Sequence, residues 1–322
     1  MTYLKGWCFL PVAGFLLLVV VPAAPEVVDS MSDCAEFFLE GTPPEVPGIL
    51  ESGEILDRDR YKTICQTFEN RRRFVTLYDT VNRIPVFSAY KYRGHKPRRP
   101  NTGWKIEPQL EEMNTANMRD DIYRRQASND DYKSNSTINN RGHLFPVIHA
   151  FEEDDKKSTF TLTNIVPQAV SFNNGRWQKM ESCMQCVMQK YCINNNNAPE
   201  GYVVTGAKPS NNNKLKNRVN IPSFLWTAFC CYSSKINKWL ASAHWGDNVA
   251  EQPGSEEKNL HMPTSCFYNC STLYHAQNYT YTNDPRPSNQ HSTYNYYENN
   301  WQSVNYFTNN WRGYLICFIN NH

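Results

Sequence analysis

Residues 140–181 decide the fold and read NRGHLFPVIHAFEEDDKKSTFTLTNIVPQAVSFNNGRWQKME. The apolar run 144–148 around Pro146 predicts a short buried strand. Residues 159–163 alternate and are rich in β-forming side chains, so they predict a second strand. From Asn173, a good N-cap residue, apolar side chains recur at helical spacing and predict a helix. The stretch therefore predicts two strands and a helix that converge on one point.

Polar side chains with useful chemistry lie at the ends of these predicted elements. His143 and Arg141 stand beside the first strand, while Asn173 and Glu181 share one helix face with Trp177, a predicted packing residue. A helix N-terminus near Asn173 would add free N–H groups and a positive dipole end, which suit a phosphate. The alternative for an isolated Gly-His pair is a structural or surface histidine.

Three blocks of this stretch resemble the signature of the DNA/RNA non-specific endonucleases of the ββα-metal class. They are Asn-Arg-Gly-His at 140–143, Thr-Asn-x-x-Pro-Gln at 163–168 and Asn-x-x-x-Trp-x-x-x-Glu at 173–181. The match covers about residues 60–250, and the cysteines and leader resemble the secreted vertebrate branch, the endonuclease domain-containing 1-like proteins. The resemblance implies the ββα-metal (His-Me finger) fold of class α+β, with a mainly antiparallel sheet core, helices and stabilising disulfides.

The resemblance also implies a role for each site residue. His143 matches the general base that activates water, and Asn173 matches the direct protein ligand of Mg²⁺, with Mn²⁺ as a possible substitute. A single amide ligand suits Mg²⁺, because this ion keeps most of its waters. Glu181 matches the residue that holds a metal-bound water, and Arg141 and Asn164 match residues that support the site and the phosphate.

Substrate contacts are expected from a basic loop and from one position that departs from the signature. Residues 91–105 carry six Lys and Arg side chains and no acid. Arg98 or Arg99 is the expected phosphate ligand, because the family carries an arginine there and a guanidinium binds phosphate in a bidentate way; a solvated charged face is the alternative. Asn140 replaces the family aspartate. This substitution keeps the hydrogen-bonding shape of the side chain and loses its negative charge.

The chain divides into four predicted parts. Residues 1–24, with Lys5, an apolar core and small residues at the end, predict a signal peptide, and an uncleaved membrane anchor is the alternative. Residues 25–60 predict an irregular N-terminal arm, residues 61–250 the endonuclease domain, and residues 251–322 an Asn/Tyr-rich extension tethered by disulfides. No stable membrane span is expected after signal cleavage, since no later apolar run reaches the required length.

Cysteine usage predicts an oxidising compartment. Ten cysteines follow the leader, and an even set in a secreted chain predicts disulfides. A local bridge between Cys34 and Cys65 is expected, and the other pairings are left open. A zinc cluster at Cys183, Cys186 and Cys192 is the alternative. Sequons predict N-glycosylation at Asn135, Asn269 and Asn278.

The formal net charge of +2 provides no global attraction for nucleic acid, so local patches must steer it. We predict a secreted, extracellular, metal-dependent endonuclease that hydrolyses DNA and RNA without sequence preference and binds their phosphate backbone. One alternative is an inactive nucleic-acid- or protein-binding protein on the same fold. Another is a disulfide-rich interaction protein that works through its aromatic tail. The sequence makes no prediction of oligomeric state.

Overall fold

The computed structural model describes residues 26–111, 118, 125–133 and 137–250, together with the backbone of 260–261. The strands are β1 (Val27–Val28), β2 (Leu50–Glu51), β3 (Glu54–Ile55), β4 (Tyr61–Phe68), β5 (Arg71–Asp79), β6 (Ile84–Tyr92), β7 (Asn139–His143), β8 (Ile165–Ala169), β9 (Gly201–Lys208), β10 (Lys214–Leu215), β11 (Val219–Asn220), β12 (Phe224–Ser233), β13 (Lys238–Asp247) and β14 (Leu260–His261). The α-helices are α1 (Asn129–Lys133), α2 (Glu153–Ser158), α3 (Val170–Phe172) and α4 (Gln178–Tyr191), with a π-helical turn, Asn173–Trp177, between the last two. Short 3-10 helices cover Met31–Phe37, Leu39–Gly41, Pro108–Glu111, Val147–His149 and Leu162–Asn164.

Several predictions from the sequence fall beyond these residues. The signal peptide, the glycosylation sites Asn135, Asn269 and Asn278, and the C-terminal extension apart from the backbone of 260–261 lie outside the described part of the chain. Within that part, no helix is long and apolar enough to cross a membrane.

Eight strands form one antiparallel sheet in the order β1-β4-β5-β6-β9-β12-β13-β14. The predicted class, α+β with a mainly antiparallel sheet, is confirmed. Successive side chains of a strand point to opposite faces, so each face of this sheet has its own hydrophobic core. Phe74 and Val203 belong to one core, and their neighbours Val75 and Val204 belong to the other.

The N-terminal arm covers one face of the sheet. Its side chains Met31, Phe38 and Leu50 are buried against the sheet in the second core. The predicted bridge between Cys34 and Cys65 is confirmed, and it ties the arm to β4. The arm contains little regular structure, yet burial and a covalent bond hold it on the sheet.

The opposite face carries the stretch that decides the fold. Trp177, Met184 and Met188 of the helical segment pack into the first core. A disulfide between Cys192, just after α4, and Cys231 of β12 fixes the end of this helix to the sheet. This bridge rules out the zinc cluster at Cys183, Cys186 and Cys192, and the other two cysteines are also disulfide-bonded.

Candidate active site

His143 ends strand β7, which pairs antiparallel with β8 so that His143 lies opposite Ile165. The predicted strands at 144–148 and 159–163 are wrong, because these residues form bends, turns and 3-10 helices next to the hairpin, with an isolated β-bridge between Thr161 and Lys105. Pro146 has no N–H for a strand ladder, and the two apolar residues before it are both buried instead of alternating. The apolar run is therefore a buried turn that follows the strand.

Asn164 holds this buried turn in shape. Its Oδ1 accepts a hydrogen bond from the N–H of Phe145 at 2.9 Å. Its Nδ2 donates to the main-chain carbonyls of Phe145 and Thr159 at 3.1 and 3.0 Å. The side chain is fully buried, so these bonds to the main chain satisfy it. Asn164 therefore fixes the turn that follows His143.

The His143 imidazole lies in a pocket of aromatic rings. Its ring centroid is 5.2 Å from that of Trp104 and 5.1 Å from that of Phe160, which it meets edge-on. Burial, with a smaller contribution from the charge of Arg99, lowers the pKa of His143 to about 3. Its buried Nε2 has no hydrogen-bond partner among the described residues. The imidazole is therefore neutral at physiological pH.

The two arginines that the sequence could not separate lie in different surroundings. The guanidinium of Arg99 is 5.1 Å from the ring centroid of Phe160, and its charge acts on both His143 and Glu181. The charge of Arg98 acts instead on Glu153, which is exposed on α2. Of the two arginines, Arg99 is the one whose charge reaches the His143 site.

Arg141 is held between two aromatic rings. Its guanidinium carbon lies 5.6 Å from the ring centroid of Trp104 and 5.3 Å from that of Tyr132. Its Nη2 also donates to the carbonyl oxygen of Asn129 at 3.1 Å. Such stacking orients a guanidinium and is worth about 0.5–2 kcal/mol. Arg141 thus reaches the aromatic wall of the His143 pocket, where its charge can support a bound phosphate.

Three asparagines are joined by hydrogen bonds beside the hairpin. Nδ2 of Asn140 and Nδ2 of Asn173 both donate to Oδ1 of Asn174, at 3.1 and 3.2 Å. Oδ1 of Asn173 accepts no hydrogen bond from the described residues, so it can serve as a metal ligand. Asn140 and Asn173 thus share Asn174 as a hydrogen-bond partner, and Asn140 therefore lies close to the candidate metal ligand.

The helix does not begin at Asn173. It begins at Val170, and Asn173 has helical backbone angles, so the predicted N-cap is wrong. Residues 173–177 form a π-helical turn in which Gly175 leaves the helical region, with φ −104° and ψ −108°. A π turn inserts one residue into a helix and is frequent at functional sites. The expected phosphate site on a helix N-terminus at Asn173 is therefore absent from this part of the structure.

Glu181 is half-buried on α4, and its main chain is anchored. Burial raises the pKa of its carboxyl to about 8, although Trp177 and Arg99 act in the opposite direction. Its main-chain carbonyl oxygen accepts a hydrogen bond from Nε2 of the buried His149 at 2.8 Å. Burial lowers the pKa of His149 to about 4, so its ring is neutral, and because Nε2 donates to this carbonyl, Nδ1 accepts from the Tyr90 hydroxyl at 2.7 Å. His149 therefore links the helix at Glu181 to the turn that follows His143.

The residues of this site fit a hydrated divalent cation. The described residues contain no group of three or more His, Cys, Asp or Glu that could hold a metal. Mg²⁺ does not require such a group, since it keeps several waters and takes one or two protein oxygens. Oδ1 of Asn173 would supply one oxygen, and Glu181 follows on the same helical segment. These donors suit Mg²⁺, or Mn²⁺ in its place.

Comparison with known proteins identifies the family. The family model for DNA/RNA non-specific endonucleases matches residues 53–288. The chain belongs to the DNA/RNA non-specific endonuclease family. Membership confirms the resemblance seen in the three motif blocks and supports nuclease function in general.

Two relatives carry the name Endonuclease domain-containing 1 protein. The Homo sapiens and Mus musculus proteins are each 33% identical to this chain over 211 residues, which is 62% of the chain and 39% and 38% of those proteins. The chain thus spans about two fifths of the length of these relatives. Among solved structures, a chain of the EndoG/EndoGI complex aligns with a TM-score of 0.43 and 20% identity, over 60% of this chain and 78% of that one.

Sequence reasoning missed several residues that shape the site of this family member. The imidazole pocket is formed by Trp104, which is far from the signature blocks, and by Phe160, which lies between two of them, and nothing in their spacing points to it. Asn174 and His149 lie within residues 140–181. The only sequence feature that could have pointed to them is that each repeats the residue type of a predicted site residue, Asn173 or His143. The missed residues are Trp104, Tyr132, His149, Phe160 and Asn174.

Proposed function

We propose that this protein is a secreted, metal-dependent endonuclease that hydrolyses phosphodiester bonds of DNA and RNA without sequence preference. The observation that carries the proposal is His143, whose neutral imidazole has an unpartnered buried nitrogen in a pocket next to Arg99. A general base must be unprotonated at the working pH and within reach of the proton it removes. Few structural roles explain a buried ring nitrogen that is left without a partner.

The reaction assigns one task to each group. His143 accepts the proton of the attacking water. Arg99 binds the phosphate, and Arg141, held by its aromatic neighbours, adds positive charge beside it. Asn173 would hold Mg²⁺ and Glu181 would hold a water of the ion; when bound, the ion would supply stabilisation of the negative charge that develops on the phosphate and the leaving oxygen.

Lack of sequence preference follows from the kind of contact that the site offers. Arginine side chains and a hydrated metal bind phosphate, which carries no sequence information. DNA and RNA share the phosphodiester linkage, so we expect both to be substrates. The leader sequence supports secretion, and the bridges Cys34–Cys65 and Cys192–Cys231 are consistent with an oxidising compartment.

Digestion of two substrates by the purified chain tests this function. Plasmid DNA and a structured RNA are incubated with Mg²⁺, and the ends of the products are sequenced. We expect both to be cut, with ends spread over all sequence contexts. Cleavage confined to one sequence, or to one of the two nucleic acids, would contradict the proposed substrate range.

The departure at Asn140 predicts a gain of activity on restoring the aspartate. A carboxylate beside Asn173 would attract the cation and its waters, and changes next to metal ligands typically alter activity by roughly 10–100-fold. Asn174 is exposed, so its amide can rotate to donate to the new carboxylate. We expect Asn140→Asp to cleave plasmid faster by up to this factor at saturating Mg²⁺.

The comparison with Asn140→Asp has two other outcomes with clear meanings. Equal, brisk rates in wild type and variant would show that the charge is dispensable. No cleavage by either protein would favour the inactive nucleic-acid- or protein-binding alternative, which the loss of the family aspartate makes the second candidate.

The pKa of Glu181 predicts that metal binding strengthens as pH rises. Burial raises this pKa to about 8, so the carboxyl is protonated at pH 6 and ionised at pH 9, and only the ionised form attracts a cation. The affinity for Mg²⁺ should therefore increase between pH 6 and 8, by up to about tenfold per unit. His143, with a pKa of about 3, does not titrate in this window.

Isothermal titration at several pH values measures this dependence. Glu181→Gln cannot ionise and should show weaker binding that does not change over the same range. Glu153→Gln, at an exposed position on α2, is the matched control and should follow wild type. The same pH dependence in wild type and Glu181→Gln would show that another group is responsible.

A further inference from the structure

A buried lysine lies beneath the basic loop that carries Arg99. Lys156, on α2, is only 4% exposed, which is rare for lysine. Its Nζ donates to three consecutive main-chain carbonyls, those of Lys96, Pro97 (3.5 Å) and Arg98 (3.0 Å). An ammonium group has three N–H donors, so each carbonyl receives one.

This arrangement requires an unusual backbone. Successive carbonyls of an extended chain point in alternating directions, so three that converge on one nitrogen need a tight curl. The curl includes Arg98 at φ +97°, a region that residues other than glycine rarely adopt. The bonds from Lys156 offset this strain, and the chain leaves the curl at the next residue, Arg99.

The base of the loop is rigid. Asp155, the neighbour of Lys156, forms a buried ion pair with Arg73 of β5, with Nη1 and Oδ1 3.0 Å apart. Asp155 also accepts a hydrogen bond from the main-chain N–H of Glu152 at 3.1 Å, which fixes the first turn of α2. The ion pair with Arg73 fixes helix α2 to the central sheet, and the hydrogen bonds of Lys156 hold the loop against α2.

We propose that Lys156 is a positioning residue that sets Arg99 in place to bind the substrate phosphate. It gathers the carbonyls of residues 96–98 and so directs Arg98 toward Glu153 and Arg99 toward Phe160 and His143. The effect on cleavage rests on the proposed nuclease function. The effect on the loop does not.

The adjacent Lys157 provides a matched control. It has the same charge and lies in the same helix, but its Nζ pairs with Glu153 at 3.0 Å and Asp154 at 3.7 Å on the surface. Lys157→Met therefore removes one positive charge from α2 without touching the curl. Lys156→Met removes the same charge and all three bonds to the loop.

Cleavage kinetics form the first arm of the test. We expect Lys156→Met to lower kcat/KM by about 10–100-fold, since a misplacement near 1 Å at a reacting centre can cost that much. Lys157→Met should stay within about threefold of wild type, the range expected for one surface charge. In the Arg99→Ala background, Lys156→Met should have little further effect, because its target is gone. Additive losses, or an unchanged Lys156→Met, would overturn the proposal.

Hydrogen exchange forms the second arm and does not depend on activity. The amides of residues 94–96, 98 and 99 should exchange faster in Lys156→Met and not in Lys157→Met. Lys156→Gln, which keeps two donors, should lie between wild type and Lys156→Met and serves if the latter does not fold. Unchanged exchange in both Lys156 variants would overturn the inference. A wild-type protein without cleavage, combined with faster exchange in the variants, would refute the proposed function and leave the role of Lys156 in the loop supported.

Discussion

Replacing His143 by alanine should reduce the cleavage rate by about 10²–10⁴-fold, the usual cost of losing a general base. The imidazole is neutral, its Nε2 is unpartnered, and no other described histidine shares these features in the aromatic pocket. The measurement is the initial rate of plasmid cleavage at saturating Mg²⁺, wild type against His143→Ala.

Two controls separate loss of the base from loss of structure. The thermal unfolding temperature should change by only a few degrees, since the imidazole makes ring contacts but no hydrogen bond from Nε2. Mg²⁺ affinity should also be retained, because His143 is not the metal ligand. A folded, metal-binding His143→Ala protein with near-normal turnover would refute the assignment of the base.

Asn173→Ala should lose metal affinity and activity together. Its Oδ1 is the assigned protein ligand. The losses of Mg²⁺ affinity and of cleavage rate should therefore exceed the roughly 10–100-fold that follows from removing a group outside the ligand set. Calorimetric titration with Mg²⁺ measures the affinity, and plasmid cleavage measures the rate. Asn195→Ala, in the exposed loop after α4, is the matched control and should behave as wild type.

The Asn174 amide adds a second test of this assignment. Asn173 donates to Oδ1 of Asn174 through Nδ2, which orients its own oxygen. Asn174→Ala should therefore weaken Mg²⁺ binding less than Asn173→Ala does. Metal affinity that is unchanged in Asn173→Ala would place the ion elsewhere.

The sheet was predictable because its signals are local. Residues 74–78 and 86–90 are two runs of β-forming side chains on either side of a turn, and they lie within the paired strands β5 and β6. The family motif also identified His143, Asn173 and Glu181. It could do so because it depends only on the order of three sequence blocks and the spacing within them. The apolar run 144–148 misled the prediction, because a short buried run has the same composition in a strand and in a turn.

The remaining details of the site depend on tertiary contacts that spacing does not encode. The helix start was misplaced because a π turn with a distorted Gly175 interrupts the regular period. Arg98 and Arg99 were equivalent in sequence, and only the curl held by Lys156 separates them. In the sequence, Lys156 cannot be distinguished from Lys157. Only the structure shows that the loop lies over Lys156 and not over Lys157.

The most direct test of the account is the conversion of supercoiled plasmid to nicked circles by the wild-type protein. Nicking should proceed with Mg²⁺, stop when the ion is chelated, and resume when Mg²⁺ is added in excess. That result would show a metal-dependent hydrolase with a competent base despite Asn140. Persistent absence of nicking by folded protein that binds Mg²⁺, or nicking that continues at full rate under chelation, would contradict it.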